Sequence, residues 1–210
     1  MIKNYQGDIN IEGKMNNLME NKKEFLDKTK NKGPMFITVE FLRLGIKPGK
    51  AIDLGCGAGR DTIALIKNNW RVLSIDKENV ENIIKERLTN EQLNNFKFEV
   101  QDFENLSIEK VELIIANNSI PFCHKKYFDK LWNTINHSIK SEGYFVGNFF
   151  GIRDDWAKNK AEMVFLNKEK ILDLFCEYKI INFKEIEKEE KTTLGNMKHW
   201  HIFEVIAEKY

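Results

Sequence analysis

The chain has 210 residues, 42% of them hydrophobic and 31% charged, with a formal net charge of +1. That length suits one α/β domain with a short N-terminal extension, and the balanced charge gives no strong pull toward nucleic acid or acidic lipid. Cys56, Cys123 and Cys176 form no CxxC pair, three prolines build no linker, the N-terminus has no signal-like apolar core, and no apolar run approaches the ~18 residues that span a bilayer, so a reduced, cytoplasmic protein is expected.

Residues 1–14 show no periodicity and read as an arm. From Met15 a helical pattern sets in, with Met15, Leu18, Met19, Phe25 and Leu26 on one side, until Gly33-Pro34 breaks it. Phe36, Val39 and Leu42 predict a second short helix, ended by Gly45 and Pro48-Gly49. Residues 1–34 are thus expected to form an arm and lid helix, and residues 35–210 the main domain. Strands then alternate with helices. A strand is expected at 50–54, a helix at 59–68, a strand at 70–75 closed by Asp76, and a helix at 78–88. Strands follow at 96–100, closed by Asp102, and at 111–116. Phe128, Leu131, Trp132, Ile135 and Ile139 predict the next helix, with Gly143 as its cap. A strand at 144–150, a helix at 168–177 and two strands at 178–187 and 199–207 complete the chain. The last two are joined by turn-forming residues 192–196. This order predicts a Rossmann-like three-layer α/β/α sandwich. Its seven-stranded sheet is mostly parallel, with a C-terminal antiparallel hairpin at one edge.

Gly55-Cys56-Gly57-Ala58-Gly59 lies between a strand and a helix, where a tight turn needs glycine and lets a ligand approach the backbone. Asp53 precedes it, and Asp76 and Asp102 close the next two strands. An acid at the position of Asp76 can accept from two ribose hydroxyls, and one at Asp102 from an adenine amino group. Such acids also cap helices, which is the competing reading. A dinucleotide fingerprint needs G-x-G-x-x-G, but Arg60 stands where its third glycine belongs. An NAD-type oxidoreductase is therefore disfavoured. Asp53 suits a ligand carrying an ammonium and a sulfonium better than a pyrophosphate.

The run 53–59 resembles motif I of the class I S-adenosylmethionine-dependent methyltransferases, and Asp76 and Asp102 match that family's ribose and adenine acids. The resemblance covers about residues 35–208. Arg60-Asp61, Ile120-Pro121-Phe122-Cys123, the run 150–156 and Lys198-His199-Trp200-His201 look like a bacterial TehB-like, tellurite-resistance-like branch. The resemblance implies S-adenosyl-L-methionine as cofactor, held by Asp53, Gly55, Cys56, Gly57, Gly59, Asp76, Asp102, Phe103 and Asn118, with Phe103 on the adenine face. It implies methyl transfer to a small-molecule nucleophile whose atom (oxygen, nitrogen, sulfur or metalloid) stays open. A non-catalytic cofactor-binding module and an RNA methyltransferase are the alternatives. A monomer or weak homo-oligomer is expected.

Methyl transfer from a sulfonium is an in-line displacement that needs the nucleophile near ~3–3.5 Å from the methyl carbon. Substrate contacts are expected from loops after the fourth and fifth strands and from the last hairpin: Phe122, Arg153, Trp156 and Trp200. The run 117–122 departs from the Asn/Asp-Pro-Pro-Tyr/Phe pattern of amino-methylating enzymes, which speaks against adenine N6 chemistry. His199 and His201 are two apart on one strand face and are the candidate catalytic pair. The alternative is two polar residues at a strand entrance. Arg153 offers a fork for an anion or an ion pair with Asp154 or Asp155. No metal is expected, because no Cys or acidic partner stands at ligand spacing. Cys56 reads as a small side chain in the loop, and the lysines at 22–32 as a solvated helix face.

Overall fold

The computed structural model describes residues 20–210, so the arm at 1–14 and the apolar Met15, Leu18 and Met19 lie outside the described residues. Helix α1 covers residues 20–29 and α2 covers Phe36–Leu42. Then come β1 (Lys50–Leu54), α3 (Arg60–Lys67), β2 (Arg71–Asp76), α4 (Glu81–Lys85), α5 (Asn90–Leu93), β3 (Phe96–Val100) and β4 (Val111–Ala116). The second half holds α6 (Phe128–Ser138), β5 (Ile139–Gly151), β6 (Phe165–Leu166), α7 (Lys168–Leu174), β7 (Tyr178–Lys191) and β8 (Met197–Lys209).

The strands pair in the order β3-β2-β1-β4-β5-β8-β7, and two-residue β6 pairs with the end of β5. Pairs from β3 through β5 are parallel, whereas β8 runs antiparallel to both β5 and β7. The expected three-layer architecture and C-terminal hairpin are present, with β6 as an additional eighth strand.

The layers follow from the two-residue period of the strands. Ile52, Leu54, Ile114, Ala116, Phe145 and Phe149 point to one face, where they meet α6 and α7. Trp132 of α6 packs edge-on against Phe145, Phe149 and Phe175, with ring centroids 5.0 to 5.8 Å away. Ala51, Val72, Leu113, Ile115 and Val146 point to the other face, against Ile37 and Phe41 of α2 and Ile63 and Ile66 of α3. Both cores are closed, so function is left to the ends of the strands.

Three expectations shift. Gly143 does not cap α6, because the chain passes directly from Ser138 into β5. Gly143 instead sits where the β4–β5 register slips, and a Cβ there would lie 2.9 Å from the Lys140 carbonyl. The helix expected at 78–88 is confined to α4, because Asp76 and Asn79 side chains accept from the Glu78 and Glu81 amides and hold a turn first. Short α5 escaped the pattern altogether and rests on a capping box between Thr89 and Gln92. Among the described residues no helix is long and apolar enough to cross a membrane.

Candidate active site

A cavity of about 580 Å³ opens at the carboxyl ends of β3, β2, β1 and β4, within the range of ligand pockets. The sheet order brings Asp102 and Phe103, Asp76, the loop 53–58, and Asn117 to Ser119 into this one space.

Gly55 (φ +68) takes a left-handed conformation that an L side chain resists. A Cβ there would also fall 2.4 Å from Ser119 Cβ, so glycine is required twice over. The loop hangs on β2: the Gly55 and Cys56 amides donate to the Ile75 carbonyl at 2.8 and 3.1 Å. The Gly57 amide donates to Asp76 Oδ2 at 2.9 Å. Gly59 was expected among the cofactor contacts. It does not line the cavity; it starts α3 (φ +73) with its Cα pressed against Ile84, where a Cβ would be 2.5 Å from Cγ1.

Asp53 is 3% exposed and lies beneath the loop. Its Oδ2 accepts from the Thr62 amide at 3.0 Å and the Thr62 hydroxyl at 2.6 Å. Burial, and then the charge of Asp61, push its carboxyl up to about 7. Asp76 spends one oxygen on the Gly57 amide and accepts the Glu78 amide on the other at 3.1 Å, and still borders the cavity. Asp102 is a cap and a cavity residue at once. Its Oδ1 caps the turn Phe103–Asn105 by accepting from the Asn105 amide at 2.9 Å, while it also lines the cavity beside Phe103. Cys56 lines the cavity with its thiol pushed well above the ordinary range by burial and by Asp53, which keeps the thiol protonated.

Asn118 (φ +51) is locked to β5: its amide donates to Asn148 Oδ1 at 2.7 Å and its own Oδ1 accepts from Asn148 Nδ2 at 3.0 Å. The neighbouring residues have roles that were not foreseen. Asn117 Nδ2 donates to Thr38 Oγ1 at 2.8 Å and to Asp61 Oδ2 at 3.0 Å. Asp61 Oδ1 accepts from the Met35 amide at 2.9 Å, and Arg60 Nε donates to the Gly33 carbonyl at 2.6 Å. These bonds fasten the N-terminal segment over the cavity, where Lys22, Phe25, Leu26 and Thr29 of α1 form one wall. Lys22 is therefore no idle part of a solvated face; it pairs with Glu78 at 2.8 Å. The only sequence signal was the placement of Arg60-Asp61 directly after the glycines.

The proposed catalytic and substrate residues divide. Phe122 lines the cavity, but Arg153, Trp156, His199, Trp200 and His201 do not. Antiparallel pairing is the reason. It sets His199 opposite Glu189 and His201 opposite Glu187, with Glu185 on the same face. His199 meets Glu189 at 2.8 Å and Glu187 at 3.2 Å, and these partners raise its pKa. His201 Nδ1 accepts from the Arg153 amide at 3.2 Å, leaving Nε2 to donate to Glu185 at 3.1 Å. The Arg153 guanidinium donates to Glu185 and Glu187 at 2.7 and 2.5 Å. Its acid partners are thus on β7, not Asp154 or Asp155. Glu185, Glu187 and His201 have the spacing of a metal site, but the cation among them is Arg153. Both histidines are thus engaged in the ion-pair network of the β7–β8 hairpin, away from the cavity.

Trp156 and Trp200 enclose a lysine. Lys198 is ion-paired with Asp154, and both side chains are buried. The ammonium lies 3.5 Å from the Trp200 ring centre, 4.4 Å from Trp156 and 5.3 Å from Phe150. Phe122 leans edge-on against Trp156 and Phe150 at 6.0 Å, which joins this block to the cavity.

Comparison with known proteins agrees with this geometry. Residues 47–195 match the family model of a methyltransferase domain. No curated protein matches the chain in sequence. Among solved structures, TehB from Haemophilus influenzae superposes with a TM-score of 0.68 at 18% identity, covering 82% of this chain and 61% of TehB. The chain thus spans about three-fifths of that neighbour's length. A Burkholderia thailandensis didemethyltoxoflavin N-methyltransferase with bound substrate and S-adenosylhomocysteine has a TM-score of 0.62 at 16% identity, with 82% and 76% covered. Magnesium protoporphyrin IX methyltransferase from Synechocystis, with bound S-adenosylmethionine, has a TM-score of 0.60 at 15% identity, with 83% and 76% covered. The fold expected from the motif is met in these neighbours, and the match over most of its length shows that the chain belongs to the methyltransferase-domain family of enzymes.

Proposed function

We propose that this enzyme transfers the methyl group of S-adenosylmethionine to a small molecule bound in the same cavity. The observation that carries this reading is the order of the cavity wall. Adjacent strands lie ~4.8 Å apart, so the ends of β3, β2, β1 and β4 span about 14 Å, room for an extended nucleoside with an amino-acid tail. Asp102 and Phe103 take the adenine, Asp76 the ribose, and the backbone of 55–57 the tail. Asp53 supplies negative charge beneath the cationic end. Asn118 stands at the methyl end. Residues 20–34 act as a lid, which excludes water during transfer. The cofactor and its product in the neighbouring structures support the assignment. Enclosure under α1 and a balanced net charge favour a small acceptor over a nucleic acid.

In the reaction the acceptor's lone pair attacks the methyl carbon opposite sulfur, the C–S bond breaks, and its electron pair stays on sulfur as S-adenosylhomocysteine. The protein's part is to hold the two reactants in line, which can supply on the order of 7–11 kcal/mol. Titration calorimetry with S-adenosylhomocysteine tests the reading. Micromolar binding is expected; no binding, together with tight binding of NADH, would refute it.

A further inference from the structure

We infer that Asn117 is a positioning residue that takes the ammonium of the bound cofactor on one side and the joint of the lid on the other, so that the cofactor's tail fastens the lid. The inference rests on the proposed function and concerns how an occupied cavity acts on residues 20–34.

The joint lies at Gly33-Pro34-Met35, between α1 and α2. Its anchors come from two places. From α3, Arg60 Nε donates to the Gly33 carbonyl at 2.6 Å, and Asp61 Oδ1 accepts from the Met35 amide at 2.9 Å. From the loop after β4, Asn118 Nδ2 lies 3.7 Å from Met35 Sδ. Asn117 Nδ2 donates to Asp61 Oδ2 at 3.0 Å and to Thr38 Oγ1, fully buried in α2, at 2.8 Å. The Asp61 carboxylate thus holds the joint with one oxygen and Asn117 with the other.

A carboxylate only accepts, so Asp61 fixes which end of the Asn117 amide is nitrogen. Both amide hydrogens are then used, and Oδ1 is left as an acceptor. It is buried and has no partner among the described residues, and the same holds for Ser119 Oγ two residues on. Buried polar atoms are rarely left unpaired, and both residues border the cavity, so Asn117 Oδ1 marks the place of a ligand N–H or O–H. Asp53, Asp61 and Asp76 border the same cavity, which favours a cationic donor. With the adenine on Asp102 at β3 and the ribose on Asp76 at β2, the ammonium of the tail is the cofactor donor left for the end of β4. There Ser119 presses against Gly55, in the loop that takes the tail. An Asn117 amide tethered at Oδ1 cannot swing away from Asp61 without losing the ligand. Bound ammonium and fastened joint therefore favour each other, and by linkage they do so equally.

The test uses the full chain with S-adenosylhomocysteine and its deaminated analogue, in which hydrogen replaces the ammonium. Calorimetry gives the affinities, and hydrogen–deuterium exchange follows peptides covering residues 20–35 in protein saturated with either ligand. In the wild type, S-adenosylhomocysteine is expected to slow this exchange about tenfold or more. The analogue is expected to slow it less than about twofold and to bind about tenfold more weakly. In Asn117→Ala the two ligands should bind within about threefold of each other, and neither should slow exchange at 20–35. The wild-type comparison decides the matter even if the variant does not fold. Equal slowing by the two ligands in the wild type overturns the inference, as does undiminished slowing by S-adenosylhomocysteine in Asn117→Ala. Wild-type protein that binds S-adenosylhomocysteine with no change at 20–35 overturns it too, whereas failure to bind S-adenosylhomocysteine at all strikes the proposed function.

Discussion

Replacing Asp53 by Asn removes a charge from beneath the glycine loop and keeps its geometry. The Asn carbonyl oxygen can accept both bonds that Thr62 now donates to Oδ2. Burial, then Asp61, push the Asp53 carboxyl from 3.8 up to about 7 in the cofactor-free fold. A folded-state value above the unfolded one means stability that is complete below pH ~4 and is lost as pH rises through ~7. At ~1.4 kcal/mol per pH unit, the ionised carboxylate costs the empty protein at most about 4 kcal/mol. Allowing for relaxation, Asp53→Asn should stabilise the cofactor-free protein by roughly 1–3 kcal/mol near pH 8 and by almost nothing near pH 4. Urea unfolding at the two pH values measures both. The same variant should bind S-adenosylmethionine at least about tenfold more weakly near pH 8, because the charge facing the sulfonium is gone. Wild-type affinity should likewise fall as pH drops below ~7 and Asp53 takes up a proton. Equal destabilisation at both pH values would show that Asp53 is a structural carboxylate and that the charge argument is wrong.

Gly55→Ala meets a positive φ and the Ser119 side chain at once; a loss of roughly 2 kcal/mol or more and of S-adenosylhomocysteine binding is expected by thermal melting and calorimetry. Lys198→Met leaves Asp154 buried without its cation and should cost about 3–5 kcal/mol, with partial recovery on adding Asp154→Asn. A fall in melting temperature that the second change does not relieve would argue against the ion pair. His201→Ala should lower stability yet leave S-adenosylhomocysteine affinity and turnover within about twofold, since His201 is outside the cavity. A large loss of turnover in a folded His201→Ala protein would restore the histidine to the chemistry.

Much of the fold was legible because buried parallel strands are written locally. Val111–Ala116 is apolar on both faces except at Glu112, and the acids at 53, 76 and 102 stand where such strands end. Local pattern says which face a side chain shares, but not what opposes it. His199 and His201 were correctly placed on one face, yet their partners are Glu185, Glu187 and Glu189 across the hairpin. The two-residue repeat of those acids was readable, and aligning it across the turn at 192–196 would have predicted the pairing. Ser119 was harder. Its contact with Gly55 is made between two strands and depends on the β1–β4 neighbourhood, which only the sheet order supplies. The fastening role of Arg60 and Asp61 was hidden for a similar reason: their partners, Gly33 and Met35, precede them by a long stretch of chain.

The enclosed Lys198 also has a consequence for how this enzyme can change its substrate. Phe122 leans on Trp156, and Trp156 leans on the buried Lys198–Asp154 pair. That wall of the cavity cannot recede without breaking a block of the fold. The opposite wall is α1, where a new side chain at Phe25 or Leu26 disturbs no buried ion pair. Acceptor range should therefore evolve, and be engineered, from the N-terminal side, while substitutions at Trp156 or Trp200 are lost to unfolding before they alter selectivity.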